Sequence, residues 1–460
     1  MSKRLEQLFN PASVALIGAS SDEWKSGGMF LKSFLEQGFR GQIYPINPRE
    51  SEIMGLKTYP SILDVPGEVD LAIMAIPAQA TERAMLECAQ KRVRFVVVHT
   101  AGFAEAGEEG RELEARVMDS ARRAGIRVVG PNCMGLYSPY ARLNTILIMV
   151  NVPMEEGNVA FVGQSGWASE TFIISGYDRG LRFSQVISSG NQSDLGTADY
   201  IEHFGADPKT AILGAYVEGL KEGRRLLQVA AGISRKKPII IWKAGRTNAG
   251  ARAAASHTGS LAGSDEVYEG AFKQAGIVRA EHLEELIDFA VAFTCPHPPS
   301  GNRVGILVEA GGGAVGAADA CENWGLEVSP LSPEVQQELK GYLSGISSPL
   351  SVVRNPVDLV WPPMSQFSRI LLRCAEIVTK AVDILLLVTY YPLTDEAFAD
   401  EMKELRERMG KPIFVVPTYP SRQSEGLAIY TRRGMPAFPT AERAAKAMSV
   451  LVEYCHNVKG

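Results

Sequence analysis

Ser13-Val-Ala-Leu-Ile17-Gly18-Ala-Ser-Ser21 carries the reading of the fold: five residues suited to a buried strand run into a glycine turn, and a helical pattern follows over about 27–37. The alternation repeats downstream. Strands are predicted at Gln42–Ile46, Asp70–Ala75, Arg94–Val98 and Ile126–Val129, with helical patterns near 80–91 and 109–124. Apolar strands alternating with amphipathic helices predict a parallel, doubly wound sheet that collects its ligands at the carboxyl ends of its strands. Those ends read Gly18-Ala-Ser-Ser21, Asn47-Pro-Arg49, Ile76-Pro-Ala78, Thr100-Ala-Gly-Phe103 and Gly130-Pro-Asn-Cys-Met-Gly135.

The end of the second strand narrows the choice of ligand. An NAD site wants an Asp or Glu there for the ribose hydroxyls. This chain offers Asn47, Pro48 and Arg49, with Lys25 near the first turn. Cations suit a phosphorylated ribose, as in coenzyme A or NADP, and ordinary surface charge is the competing reading.

After a predicted linker at 137–156 the pattern restarts with the strand Asn158–Val162. Gly163-Gln-Ser165-Gly166 then opens a helix running from Trp167 toward Tyr177. Free backbone N–H groups and a helix dipole at such a turn suit a phosphate, although simple capping by Ser165 gives the same sequence. Strands follow at Phe183–Ser188, Ala211–Val217 and Pro238–Lys243, and Glu218 sits directly after the second. Between Gly245 and Gly263 lie about twenty small and polar residues without periodicity, which predicts a long functional loop around His257. Ile277-Val278 and Glu281–Phe293 close this unit.

The proline-rich Cys295–Asn302 is a second linker. Beyond it, the strand Arg303–Val308 leads into Gly311-Gly-Gly-Ala-Val-Gly316, a second glycine-rich helix start. Strands near Ile384–Thr389 and Ile413–Val416 and a helix from about Ala441 complete a third layer. The expected division is 1–140, 150–296 and 302–460.

Composition narrows the function classes. The 460 residues carry a formal net charge of -5, which gives no basic field for nucleic acid or anionic membrane. Six scattered cysteines without a Cys-x-x-Cys suggest reduced thiols in a cytoplasm. The N-terminus has no signal-peptide core, and no apolar run reaches the length that spans a bilayer. The phosphate loop of nucleotide hydrolases, the zinc motif His-Glu-x-x-His and the nucleophile elbow Gly-x-Ser-x-Gly are absent, and no two histidines stand at metal-ligand spacing.

Taken in order, several motifs resemble the α subunit of the ADP-forming acyl-CoA synthetases, within the succinyl-CoA synthetase superfamily. They are Val14-Ala-Leu-Ile-Gly-Ala-Ser20, Gly130-Pro-Asn-Cys-Met-Gly135, Gln164-Ser-Gly166, Ser189-Gly-Asn191, Glu218-Gly219, Gly245-Arg-Thr247 with Ala254-Ala-Ser-His-Thr-Gly259, Ala310-Gly-Gly-Gly313 and Asn355-Pro-Val-Asp358. The resemblance implies a Rossmann-like CoA-binding domain followed by two flavodoxin-like ligase domains. It implies the reaction carboxylate + CoA + ATP ⇌ acyl-CoA + ADP + phosphate. That reaction runs through an acyl phosphate and a phosphohistidine.

By the same resemblance His257 takes the phosphoryl group, Glu218 orients it, and Ser165-Gly166 and Gly312-Gly313 hold phosphate. CoA would lie along Gly18, Ser20, Ser21, Lys25, Asn47, Pro48, Arg49, Ile76, Pro77 and Asn132. Asn191 and Trp167 are candidates for the acyl pocket. Trp167 departs from the small residue usual after Gln-Ser-Gly and either shapes that pocket or packs into the core, the preferred reading. No metal is assigned to this chain. ATP or ADP and magnesium are expected on a separate ATP-grasp β chain, in an α2β2 assembly. Two other readings stand beside this one: a non-catalytic CoA-binding protein of the same fold, and a nicotinamide-dependent dehydrogenase.

Overall fold

In a computed structural model, residues 5–147, 149, 152–258, 264–348, 350–390 and 395–459 are described, the side chains of 255–258, 420 and 459 excepted. The chain forms two compact units, Met1–Ser175 with Arg182–Leu283, and Gly176–Leu181 with Glu284–Gly460.

The first unit begins with β1 (Ser13–Ile17), whose every residue is buried because strands flank it on both sides. β2 (Gln42–Ile46) pairs with it in parallel, and a small hairpin of β3 (Glu52–Ile53) and β4 (Leu56–Lys57) follows. β5 (Leu71–Met74), β6 (Phe95–Val98) and β7 (Arg127–Val129) complete a five-stranded parallel sheet in the order β2-β1-β5-β6-β7. The order reverses between β1 and β5, which opens a crevice at their carboxyl ends. Gly18 turns out of β1 there at φ +94°, where a Cβ would overlap the Ala75 carbonyl oxygen. Only glycine tolerates both the dihedral and the close approach.

A second sheet contains β8 (Gly135–Ser138), β9 (Leu143–Asn144), β10 (Glu156–Gly163), β11 (Phe183–Ser188), β12 (Ile212–Val217), β13 (Ile239–Lys243) and β14 (Val278–Ala280). Its order is β14-β13-β12-β10-β11-β8-β9, parallel except where β8 runs antiparallel to β11 and β9 to β8. The predicted linker at 137–156 is therefore corrected: its first part is sheet. Leu136 and Leu143 are fully buried in it. Strands of four and two residues carry too little alternation for sequence reading to detect.

The predicted loop after β13 is corrected as well. Asn248–Thr258 is a helix. Thr247 starts it, its Oγ1 accepting the Gly250 N–H at 3.1 Å. The alanine-rich run that looked featureless is a strong helix former. Residues 259–263 lie outside the described part.

In the second unit β15 (Val304–Val308), β16 (Val357–Asp358), β17 (Ile384–Thr389) and β18 (Ile413–Pro417) form a parallel sheet in the order β16-β15-β17-β18. Helix Leu283–Phe293 packs almost wholly within this unit. Its buried Asp288 accepts from Arg179 at 2.9 Å and from Arg443, and its Glu285 pairs with Lys446. Both partner types are the unit's own. No helix among the described residues is long and apolar enough to cross a membrane.

Candidate active site

In the first unit a cavity of about 510 Å³ lies where the carboxyl ends of β5 and β6 meet the turns after β7, β10 and β11. Ile76, Pro77, Asn132, Gly166 and Asn191, all singled out from the sequence, line it together. His99 and Ser26, not singled out from the sequence, stand in the same wall, as does Gln164 of the Gln-Ser-Gly motif, to which no role was given. Ser26 begins a 12-residue helix whose N-cap residue, Lys25, makes no side-chain cap bond. The backbone N–H groups of that first turn are therefore suited to an anion.

The other predicted CoA residues gather at the neighbouring turns. Asn47 Nδ2 donates to the Ala19 carbonyl at 2.9 Å and to Glu50 at 3.1 Å, and the Arg49 N–H donates to Asn47 Oδ1 at 2.8 Å. Ser20 Oγ accepts from the Asp22 N–H, and the Ser21 N–H points to Glu50. Lys25 is exposed and 3.6 Å from Asp22. Pro48 sits in the same turn, after β2. Glu50, unnoticed in the sequence, thus tethers both strand ends.

Ser165 is buried, and its Oγ accepts the Ala168 N–H at 3.4 Å, so it caps the helix Gly166–Asp178. A Cβ on Gly166 would push against the end of the Met134 side chain, so the absence of a side chain there leaves that helix tip open to the cavity. Trp167 is 60% exposed and is absent from the cavity wall, so the preferred expectation of core packing is corrected. It occupies the first turn of the helix Gly166–Asp178. Asn191 Nδ2 donates to Glu105 at 2.6 Å and to Glu114 at 3.1 Å, which anchors the Ser189–Asn191 turn to the first sheet's side of the cavity.

Glu218 follows β12 and is 5% exposed. The Tyr216 hydroxyl donates to its Oε1 at 2.9 Å. In the adjacent strand, in register with Val217, stands Lys243, 1% exposed, with its ammonium 4.8 Å from the centre of the Tyr268 ring. Burial lowers the Lys243 pKa. His257 lies in the backbone of helix Asn248–Thr258, and its side chain is outside the described residues. Its pairing with Glu218 is thus a proposal.

Gly312 and Gly313 belong to the second unit, in the first turn of helix Gly311–Asn323. Glu309, at the end of β15, is buried beside them in sequence. Its carboxyl accepts from Thr389 Oγ1 at 2.6 Å and the Tyr390 N–H at 2.8 Å, yet burial pushes its pKa up to about 8. Among the described residues no cluster has the donors to hold a metal ion.

His99, Glu218, Lys243 and Glu309 share a signal: each is a titratable residue closing an otherwise apolar strand. Glu218 is singled out from the sequence on that pattern, whereas His99, Lys243 and Glu309 are not.

The geometry brings the crevice at the carboxyl ends of a doubly wound parallel sheet against the N-terminus of helix Gly166–Asp178. Residues 12–139 match the CoA binding domain model, and residues 156–293 match the succinyl-CoA ligase like flavodoxin domain model. The chain is 38% identical to the α subunit of acetate–CoA ligase [ADP-forming] II of Pyrococcus furiosus, over 99% of each. It is also 38% identical to acetate–CoA ligase [ADP-forming] I of Archaeoglobus fulgidus, over 98% of this chain and 64% of that one. Among solved structures, acetyl-coenzyme A synthetase 1 of Ca. Korarchaeum cryptofilum, in complex with phosphate and ADP, superposes with a TM-score of 0.89. That match has 35% identity and covers 100% of this chain and 98% of the other. The chain belongs to the family of ADP-forming acetate–CoA ligases.

Proposed function

We propose that this chain is the α subunit of an ADP-forming acyl-CoA synthetase, catalysing carboxylate + CoA + ATP ⇌ acyl-CoA + ADP + phosphate. One observation carries the reading: Ile76, Pro77 and Asn132 from the CoA-binding side share a cavity with Gly166 and Asn191 from the flavodoxin-like side. A thiol delivered along the first wall would reach an acyl phosphate held at the Gly166 helix tip. The helix dipole and free amides there stabilise the phosphate as it departs.

His257 relays the phosphoryl group, and Glu218, buried and bonded to Tyr216, orients the imidazole. Gly312 and Gly313 form the second phosphate-holding tip. A neutral imidazole is a competent phosphoryl acceptor near pH 7. The working division is a CoA domain over 1–140 and ligase domains over 150–296 and 302–460. ATP or ADP with magnesium is handled by an ATP-grasp β subunit, and α2β2 is the proposed assembly, in the cytoplasm. The α-subunit name of the Pyrococcus relative supports a partner chain, as does the third of the Archaeoglobus relative that lies outside the alignment.

The test combines the chain with an ATP-grasp partner, γ-labelled ATP and a panel of carboxylates. An acid-labile label on the α chain, and thioester formation with at least one acid, are expected. A label that survives His257→Ala sinks the relay. CoA binding without labelling or thioester would leave the non-catalytic reading in its place.

A further inference from the structure

His99 ends the apolar strand β6 with its ring in the cavity wall. Its Nδ1 lies 2.7 Å from the Cys133 carbonyl oxygen. A carbonyl only accepts, so the proton sits on Nδ1 and Nε2 keeps its lone pair. Phe30 meets the ring edge-on, with centroids 4.9 Å apart and an angle of 83°. The imidazole is therefore fixed in both tautomer and orientation beside Asn132 and the Gly166 helix tip. Burial lowers its pKa against the opposing pull of the Cys133 bond, which leaves the ring neutral at pH 7.

Its titratable surroundings are few among the described residues. Cys133 shares the wall, but burial pushes its thiol up to about 12. Glu105 and Glu114 approach through Asn191. On and before helix Ser26–Gln37, Lys32 pairs with Glu23 and Glu36, and Lys25 with Asp22, all at the surface.

Resting on the function above, we propose that His99 is the catalytic base for the CoA thiol, its Nε2 taking the S–H proton as sulfur attacks the acyl-phosphate carbonyl. The C–S bond forms, the bond from the carbonyl carbon to the phosphate oxygen breaks, and phosphate leaves with the bonding pair. The proton passes from the imidazolium to the departing phosphate, which returns the ring to its neutral state. A weak base is sufficient because sulfur gains positive charge as it bonds to carbon, and its proton grows far more acidic than in the free thiol. His257 and Glu218 are committed to the phosphoryl relay and leave this proton to another group.

The experiment uses the assembled enzyme with acyl phosphate and CoA, which isolates thioester formation from ATP chemistry. His99→Asn keeps a donor near the Nδ1 position for the Cys133 carbonyl, His99→Gln places its amide near the Nε2 position, and both remove the base. Their kcat at pH 7 is expected to fall roughly 100- to 1,000-fold, with CoA KM within about threefold and transfer of label from ATP to His257 intact. The deficit shrinks as pH rises and solvent supplies thiolate. Variants within about threefold of wild type in kcat, with an unchanged pH profile, overturn the proposal. A deficit equal at every pH also overturns it, since that marks a structural role. Should neither variant fold, the wild-type profile decides: a kcat limb below the ordinary imidazole pKa supports the base, and a rise that follows thiol ionisation alone rejects it. A wild-type enzyme that makes no thioester from any acid defeats the underlying function instead.

Discussion

Gln164 latches Glu218: its Oε1 accepts the backbone N–H of Glu218 and, at 3.2 Å, that of Gly219, while its Nε2 returns a bond to the Gly219 carbonyl at 2.7 Å. The two strand ends that carry the flavodoxin-like half of the site are thus held by one buried amide. Gln164→Ala strands these backbone groups in the interior. With about 1–3 kcal/mol for each of the three buried groups left unsatisfied, it is expected to cost about 3 kcal/mol or more. Urea denaturation measures the loss, and turnover should fall with it because Glu218 loses its fixed position.

Gly18→Ala places a methyl against the Ala75 carbonyl at a backbone angle that L-residues avoid. We expect a loss of about 2 kcal/mol or more in stability. The crevice between β1 and β5 is distorted along with it, so calorimetric CoA affinity should drop by at least tenfold, or about 1.4 kcal/mol.

Glu309 gives a pH signature. Its folded pKa of about 8 exceeds the unfolded value of 4.5, so between those values the folded chain holds a proton that the unfolded chain has released. The stability it contributes is complete below the unfolded pKa and is lost as pH rises through the folded one. Glu309→Gln should therefore gain on wild type as pH climbs from 5 to about 8, with the difference level beyond. Chemical denaturation across that range checks the sign. A difference that is flat with pH removes the account of a protonated, buried carboxyl.

Trp167→Ala tests a residue that sequence reading placed in the acyl pocket or the core. With the residue 60% exposed and outside the cavity wall, the change should alter folding stability by no more than about 0.5 kcal/mol. KM values for short and aromatic carboxylates should keep their ratio. A selective change for one acid class returns Trp167 to the acyl site.

The longer strands of the three parallel or mostly parallel sheets were legible because buried parallel strands read as continuous apolar runs, such as Ser13–Ile17 and Ile384–Thr389. Glycine turns after them exposed Gly18, Gly166 and Gly312 for the same reason. Short antiparallel strands at 135–144 and the alanine-rich helix at 248–258 escaped, since one lacks length and the other lacks an apolar stripe. His99, and the latch role of Gln164, stayed hidden for a different reason. A single polar residue after a strand gains meaning only once its neighbours in space are known. Long-range bonds such as Asn191 to Glu105 have no local trace in the chain.

The strands Gly135–Ser138 and Leu143–Asn144 straddle the end of the CoA-binding match at residue 139, yet they build the edge of the next sheet. A gene cut at the apparent module boundary near 140 would amputate that edge and expose β11 as a new, sticky rim. Shuffling this module between relatives therefore demands a splice upstream of Gly135, or the transplant of both halves together.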